Sequence, residues 1–319
     1  MQFKVHGCRG SIPVAGDQFS RHGGNTTCIR VLSDRLPERT ALILDAGSGL
    51  VPASQDLMAE GVERVTFLFT HYHWDHTIGL TLSPLMFMKH VSLVMGGPVQ
   101  DGVGTREVCE SLFRRPFFPV EYQMFGSHIE HLRFQAPDVV LILFHPTGGF
   151  ATLLRERYET LVARGDPIPF DGESHPLEEC LVISMHRANH PEHTVSYRLE
   201  EGPTGRCLAL LTDHENQDGI PNALAAHLAD ATTLVADCQY TRETYERFTA
   251  GFGHGTPDYV VRLAREVGAR KVLLTHHDPG SSDERLEAIL EEACRCAGRT
   301  GGGGELPLAM ARDGVLYDV

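Results

Sequence analysis

Val65-Thr66-Phe67-Leu68-Phe69-Thr70-His71-Tyr72-His73-Trp74-Asp75-His76-Thr77-Ile78-Gly79-Leu80 decides how the rest of the chain is read. The run Val65–Phe69 is apolar and rich in residues that suit a buried strand. From Thr77 the pattern loosens towards a helix, so His71, His73, Asp75 and His76 crowd a strand-to-helix junction. Side chains alternate in an extended segment, which makes His71 and His73 point the same way. Once the chain turns into the helix, Asp75 and His76 become neighbours able to face a second point nearby. Imidazoles with a carboxylate suit zinc, manganese or iron, and two clusters a few residues apart suit two ions. Taken alone, the stretch also allows a histidine-rich surface loop or one structural zinc.

Four further segments fall in order behind and ahead of it. Asp45 lies in Leu42-Ile43-Leu44-Asp45-Ala46-Gly47, and His190 in Asn189-His190-Pro191 before a strand-like Val195–Leu199. Asp213 ends the apolar run Cys207–Thr212, and His276 ends Lys271–Thr275. The pattern His71-x-His73-x-Asp75-His76, with these segments in this order, resembles the metallo-β-lactamase-fold hydrolases. The resemblance covers most of the chain, from Cys8 to Asp283, and the five segments together are far more specific than one motif.

Composition bounds the rest. A chain of 319 residues with 42% hydrophobic and 22% charged residues is long enough for a sizeable core. No apolar run approaches the roughly 18 residues of a membrane span, and the start, Met1–Gly7, reads as a strand without a signal peptide's apolar core. Eight cysteines are scattered singly apart from Cys294-x-Cys296, which reads as reduced, buried thiols and a cytoplasmic location. The balance of 28 basic against 42 acidic residues gives −14, which disfavours a protein held mainly by nucleic-acid phosphates.

In chain order, Phe3–His6 is a first strand, followed by the glycine-punctuated loops Gly7–Pro13 and Arg21–Thr27. These loops resemble the GCRGS and GGNT segments of a branch that contains cyclic-nucleotide and other small phosphodiesterases. On that likeness Arg9, Ser11 and Asn25 would contact a phosphate or support the metals. Equally, the glycines permit tight turns and the polar groups satisfy the backbone. The spacing predicts helices over Pro52–Gly61, Leu80–His90 and Thr105–Arg115, and strands over Val91–Met95, Ile129–Phe134 and Val139–Phe144. Between residues 146 and 179 the strand pattern lapses, and Leu153–Ala163 predicts an inserted helix near the mouth of the site or a surface ornament. A glycine run, Gly301–Gly304, is expected to loop from the helix Glu284–Ala297 to closing strands at Leu306–Ala311 and Val315–Val319.

His190 takes the ligand position by the family's pattern, with His193 as the alternative. A carboxylate such as Asp213 can bridge two cations through its two oxygens; the plainer role, capping a following helix, is weakened by the intervening loop. Gly251-Phe252-Gly253-His254-Gly255-Thr256-Pro257 resembles the Gly-His-Ser-Thr segment of the phosphodiesterase branch and of tRNase Z, with Gly255 where relatives often carry serine. In those relatives the histidine serves the phosphate or the leaving group; the alternative for His254 is capping the helix that follows.

The resemblance therefore implies an α/β four-layer αββα sandwich in a single domain, where alternation of elements alone also allows a doubly wound sheet. It implies two divalent ions, zinc first, with manganese or iron as alternatives. His71, His73 and His190 would hold one, and Asp75, His76 and His276 the other, with Asp213 bridging and Asp45 orienting a ligand histidine. Hydroxide shared between the ions would attack, Asp75 serving the catalytic centre, and His254 would protonate the leaving alkoxide. The expected substrate is a small, cyclic-nucleotide-like phosphodiester, without nucleic acid or membrane as partner, and a homodimer is allowed. A thioesterase or lactonase on the same metals, or a non-enzymatic metal-binding sensor or scaffold, are the other classes.

Overall fold

The computed structural model describes residues 1–202, 205–299 and 305–319. Two mixed sheets organise it. The first runs in the spatial order Val315–Asp318, Gln2–Gly7, Cys28–Leu32, Thr40–Leu44, Arg64–Leu68, Ser92–Pro98, Ile129–Phe134. The second runs Leu308–Met310, Val272–Thr275, Thr233–Asp237, Arg206–Leu211, Val195–Glu201, Leu181–Arg187, Val140–His145, Gly149–Leu154.

Period-two alternation sends one set of side chains from each sheet into a shared interior. Phe3, Val31, Leu42 and Leu44 of the first sheet meet Ile183, Tyr197, Leu210 and Leu273 of the second in one buried cluster. The alternate residues Ile43, Val65, Phe67 and Leu93 turn outward and are covered by Leu50, Ala53 and Leu57 of the helix Leu50–Ala59. Ala209, Leu234 and Leu274 of the second sheet are covered by Tyr259 and Leu263 of helix Pro257–Glu266 and by Leu286 and Ile289 of helix Asp283–Arg299. Helix, sheet, sheet and helix form the four layers. The central strand Arg64–Leu68 is buried along Val65–Leu68, as a strand covered on both faces must be.

Connectivity places the chemistry. In the first sheet Thr40–Leu44 and Arg64–Leu68 are parallel neighbours, so Asp45 and His71 leave the same edge. In the second sheet Arg206–Leu211, Thr233–Asp237 and Val272–Thr275 are parallel neighbours, so Asp213, Asp237 and His276 share an edge. Two cross-sheet bonds tie the edges together: Val195 N–H donates to the Thr70 carbonyl at 2.9 Å, and the Tyr197 hydroxyl to the Phe69 carbonyl at 2.6 Å. Leaving such a buried carbonyl unpaired costs about 1–3 kcal/mol, so the metal-loop backbone is held by the opposite sheet.

Some sequence expectations change. Leu80–His90 is two short 3-10 turns, Ile78–Leu82 and Pro84–Phe87, because Pro84 cannot continue a helix and restricts the residue before it. The segment after residue 146 is not simply helical. Gly149–Leu154 pairs antiparallel with Val140–His145 as the edge of the second sheet, and the helix begins at Arg155. Its Leu161, with Ile168 and Phe170, packs on Leu141, Leu143 and Val182 on the outer face of that sheet. The helical spacing of Leu153–Ala163 hid this switch, since short apolar runs fit both periods. The two closing strands part company: Leu308–Met310 joins the second sheet and Val315–Asp318 the first. The expected Gly301–Gly304 loop lies outside the described residues. All eight cysteines are free thiols, and among the described residues no helix is long and apolar enough to cross a membrane.

Candidate metal centre

Three strand ends turn through a left-handed backbone: Asp45, Asp213 and His276 have φ of 58°, 50° and 60°. Residues other than glycine pay for this conformation, and it persists where the surroundings over-determine it. Here it swings each side chain off its strand into the crevice between the two sheets.

Two overlapping groups of donors result. His71, His73, His190 and Asp213 bring their ligand-type atoms within 4.8 Å of one another, and so do Asp75, His76, Asp213 and His276. Asp213 belongs to both, its Oδ2 facing His71 Nε2 at 3.6 Å and its Oδ1 facing His76 Nε2 at 3.1 Å and His276 Nε2 at 3.3 Å. His193, the alternative to His190, is exposed, and its backbone N–H donates to Gln100.

The charge balance asks for cations. His76 Nε2 and His276 Nε2 lie 3.3 Å apart, buried, with the carboxylates of Asp75 and Asp213 beside them. Burial alone would push both imidazoles down; instead Asp75, Asp213 and Asp45 hold His76 well above its ordinary value. Asp213 and Asp75 likewise hold His276 up at about 9. Conversely, burial would raise Asp213, but His276, His76 and His71 hold it well below the carboxylate range. Protons on these histidines stand in for positive charge that the buried carboxylates require. For His71 burial outweighs the opposing pull of Asp213 and pushes the ring well down, and its Nε2 has no hydrogen-bond partner. His190 is pushed to about 4 by burial. Neutral imidazole nitrogens, one of them an unpartnered buried atom, beside ionised carboxylates are a donor set that fits two divalent ions.

Supporting groups fix the donors. Asp45 Oδ2 sits 2.8 Å from His76 Nδ1, while its two oxygens accept from Thr70 N–H at 2.7 Å and the Thr70 hydroxyl at 2.8 Å. That leaves His76 Nε2 for the centre. Ser11 N–H donates to Asp75 Oδ2 at 2.7 Å, and Gly10 packs so closely that an added Cβ would lie 2.5 Å from His276 Cε1. The glycine-rich first loop therefore supports the centre through its backbone.

Arg9 is a correction, and Asn25 is held by the same loops. Arg9 is fully buried; its Nε donates to Gly23 O and its Nη1 to Asp278 O and Ser281 O, so the guanidinium is spent on stitching loops. Asn25 Oδ1 accepts from the Ser48 hydroxyl at 3.1 Å, joining two turns. A buried cation surrounded by carbonyls is a structural strut, and a substrate phosphate is not within its reach.

His254 lies against the cluster. Its Nδ1 is 2.8 Å from Asp237 Oδ2, and its ring stacks on that of His276 at 4.9 Å and 27°. Asp237 Oδ2 also lies 3.7 Å from His276 Nδ1. Reading the sequence missed this aspartate, although it ends its strand as Asp213 ends the neighbouring one. Glu215 was missed too: it accepts from the Tyr245 hydroxyl, Gly251 N–H and Gly253 N–H, pinning the segment that leads into His254.

No family model matches the sequence. The chain is 26% identical over 291 residues to ribonuclease Z of Methanosarcina acetivorans, covering 80% of this chain and 84% of that protein. Its fold is similar to the metallo-β-lactamase fold protein YhfI from Bacillus subtilis, with 20% identity, 99% and 98% coverage and a TM-score of 0.62. It is also similar to yeast PDE1, with 12% identity, 100% and 99% coverage and a TM-score of 0.64. Sandwich, strand-end histidines and aspartates, and these likenesses define a metallo-β-lactamase-fold protein.

Proposed function

We propose that the chain is a metal-dependent hydrolase of small phosphodiesters. The observation that carries this reading is the Asp237–His254 pair stacked on His276, beside a cluster able to hold two ions. His71, His73 and His190 would hold one ion and Asp75, His76 and His276 the other, with Asp213 shared; zinc suits this nitrogen-rich set best. When bound, the ions supply Lewis acidity and a water that is acidic near neutral pH.

The chain's own groups do the rest. Asp45 keeps the His76 proton on Nδ1, so Nε2 faces the centre. Ser11 N–H holds Asp75 in place against His276. The water would lose one proton to solvent as its oxygen adds to phosphorus, and the ester P–O bond would break. His254 holds its Nδ1 proton against Asp237, and a proton on Nε2 passes to the departing alkoxide. A thioester would leave this acid with less to do, since a thiolate needs the proton less than an alkoxide does. Eight free thiols support a cytoplasmic location.

The likeness to a ribonuclease Z favours a second reading, cleavage of RNA. The −14 balance argues for the small substrate, because phosphate-rich polymers are held by cationic surfaces. Protein reconstituted with zinc or manganese should hydrolyse bis-p-nitrophenyl phosphate and a cyclic nucleotide faster than thioesters or lactones. Rapid thioester or lactone turnover with inert phosphodiesters would replace this reading by the carbonyl one. Sub-micromolar, salt-sensitive binding of a tRNA precursor would favour RNA.

A further inference from the structure

Beside the cluster lies a cavity of about 630 Å³ that the mechanism above does not use. Its size is within the roughly 300–1,000 Å³ of small-molecule pockets. Tyr72 and Trp74 line it, while His71 and His73, the alternate residues of the same stretch, belong to the cluster. The metal loop is thus one wall of both spaces. Leu112, Phe117 and Val103 also line it.

Continuity with the crevice is built in. The Tyr72 hydroxyl donates to Pro98 O at 2.6 Å, anchoring the loop that carries Val103 and Gln100. Gln100 Oε1 accepts from His193 N–H at 3.0 Å, and its amide contacts Glu192, in the loop that carries His190. The loop that carries Val103 is thereby tied to the metal loop and to the His190 loop.

The chemistry of the walls is one-sided. Trp74 is 68% and Phe117 73% exposed, a large solvent-facing aromatic area for two side chains of one cavity. The cavity's one cation, Arg114, lies 5.8 Å from the Phe117 ring centroid. A phosphate needs several converging donors; exposed flat rings suit an aromatic ring. His254 lies 4.9 Å from the His276 ring and 6.0 Å from the His190 ring, and Trp74 adjoins His73. With the leaving oxygen directed at His254, the retained ester group is the one free to reach Trp74.

We propose that the Trp74–Phe117 cavity binds a planar aromatic group on the retained ester of the substrate. This rests on the phosphodiesterase reading, and it sets substrate preference separately from the bond cleaved. Trp74 is the sole tryptophan, so emission excited beyond tyrosine absorption comes from this one cavity residue. Phenylphosphonate should change that emission saturably, and methylphosphonate at the same concentration should not. With leaving group held constant, phenyl p-nitrophenyl phosphate should show a KM roughly tenfold below that of methyl p-nitrophenyl phosphate. Phe117→Ala, at an exposed position that the core does not need, should erase that ratio. If the two esters have equal KM, or the ratio survives Phe117→Ala, the cavity has no such role, while phosphodiester hydrolysis itself stands. If no phosphodiester is cleaved yet phenylphosphonate still reports through Trp74 and not in Phe117→Ala, the cavity stands and the reaction assigned above falls.

Discussion

His254 Nδ1 lies 2.8 Å from Asp237 Oδ2, which commits one ring nitrogen to a buried carboxylate and leaves Nε2 for chemistry. A proton donor of this kind is worth typically about 10²–10⁴-fold when the leaving group is a poor one. His254→Ala should keep both ions and lose little on bis-p-nitrophenyl phosphate, whose phenolate leaves without help. On an unactivated dialkyl ester the loss should approach that range. Asp237→Asn should follow the same pattern more weakly. Equal damage on both substrates would mean that His254 positions the phosphate and does not donate.

Metal content tests the shared carboxylate. Elemental analysis of protein prepared without chelator should find close to two ions per chain, as the two overlapping donor groups require. Asp213→Ala removes a ligand from both groups and should lose at least one ion. Asp45→Asn leaves every direct donor in place but removes the acceptor of the His76 Nδ1 proton, so affinity should fall by about 10–100-fold. A full pair of ions in Asp213→Ala would move the bridge to another residue.

Much of this centre is legible in the sequence because its residues are strand ends. An apolar run stopping at Asp45, His71, Asp213 or His276 marks both the element and the side chain that leaves it. Asp237 carries the same mark, yet it has no motif of its own and is understood only once its strand lies beside that of Asp213. Arg9 illustrates the reverse error: a charged residue in a glycine loop reads as a phosphate contact, while its carbonyl partners come from residues 14 to 272 positions away. Long-range partners of that kind leave no local signal. The strand Gly149–Leu154 was hidden for a related reason, since its pairing with Val140–His145, and not its composition, makes it a strand.

Gly10 yields a prediction from shape alone. Its missing side chain lets the first loop lie against the His276 ring, and an added Cβ would sit 2.5 Å from Cε1 and 2.6 Å from Nδ1. Gly10→Ala must push the ring or the loop, and the loop also holds Asp75 through Ser11 N–H. Ion occupancy of the group containing Asp75 and His276 should drop, while thermal stability measured with chelator present changes little. An unchanged pair of ions in this variant would show that the loop yields freely and plays no part in setting the centre.

Acid should unfold the protein through histidines remote from the centre. His227 is buried, with Nε2 3.2 Å from the Ser196 hydroxyl. Burial first, then the neighbouring His186, Arg198 and Arg155, lower its value from 6.5 to about 3. His131, bonded to Thr105 and Tyr122, is lowered to about 4, chiefly by burial. The folded state keeps these rings neutral, whereas the unfolded chain protonates them near their ordinary value. Between the two values the unfolded state binds more protons, so stability is fully present above about pH 6.5 and is lost as pH falls towards the folded values. By about pH 5 one such group costs on the order of 2 kcal/mol. Urea unfolding of wild type should therefore weaken steadily below about pH 6.5. His227→Gln, which can keep a bond to Ser196 but cannot titrate, should show a shallower decline. Loss of metal in acid affects both proteins alike, so the difference between their slopes isolates His227. Identical slopes would mean that this ring is already free to protonate in the folded state.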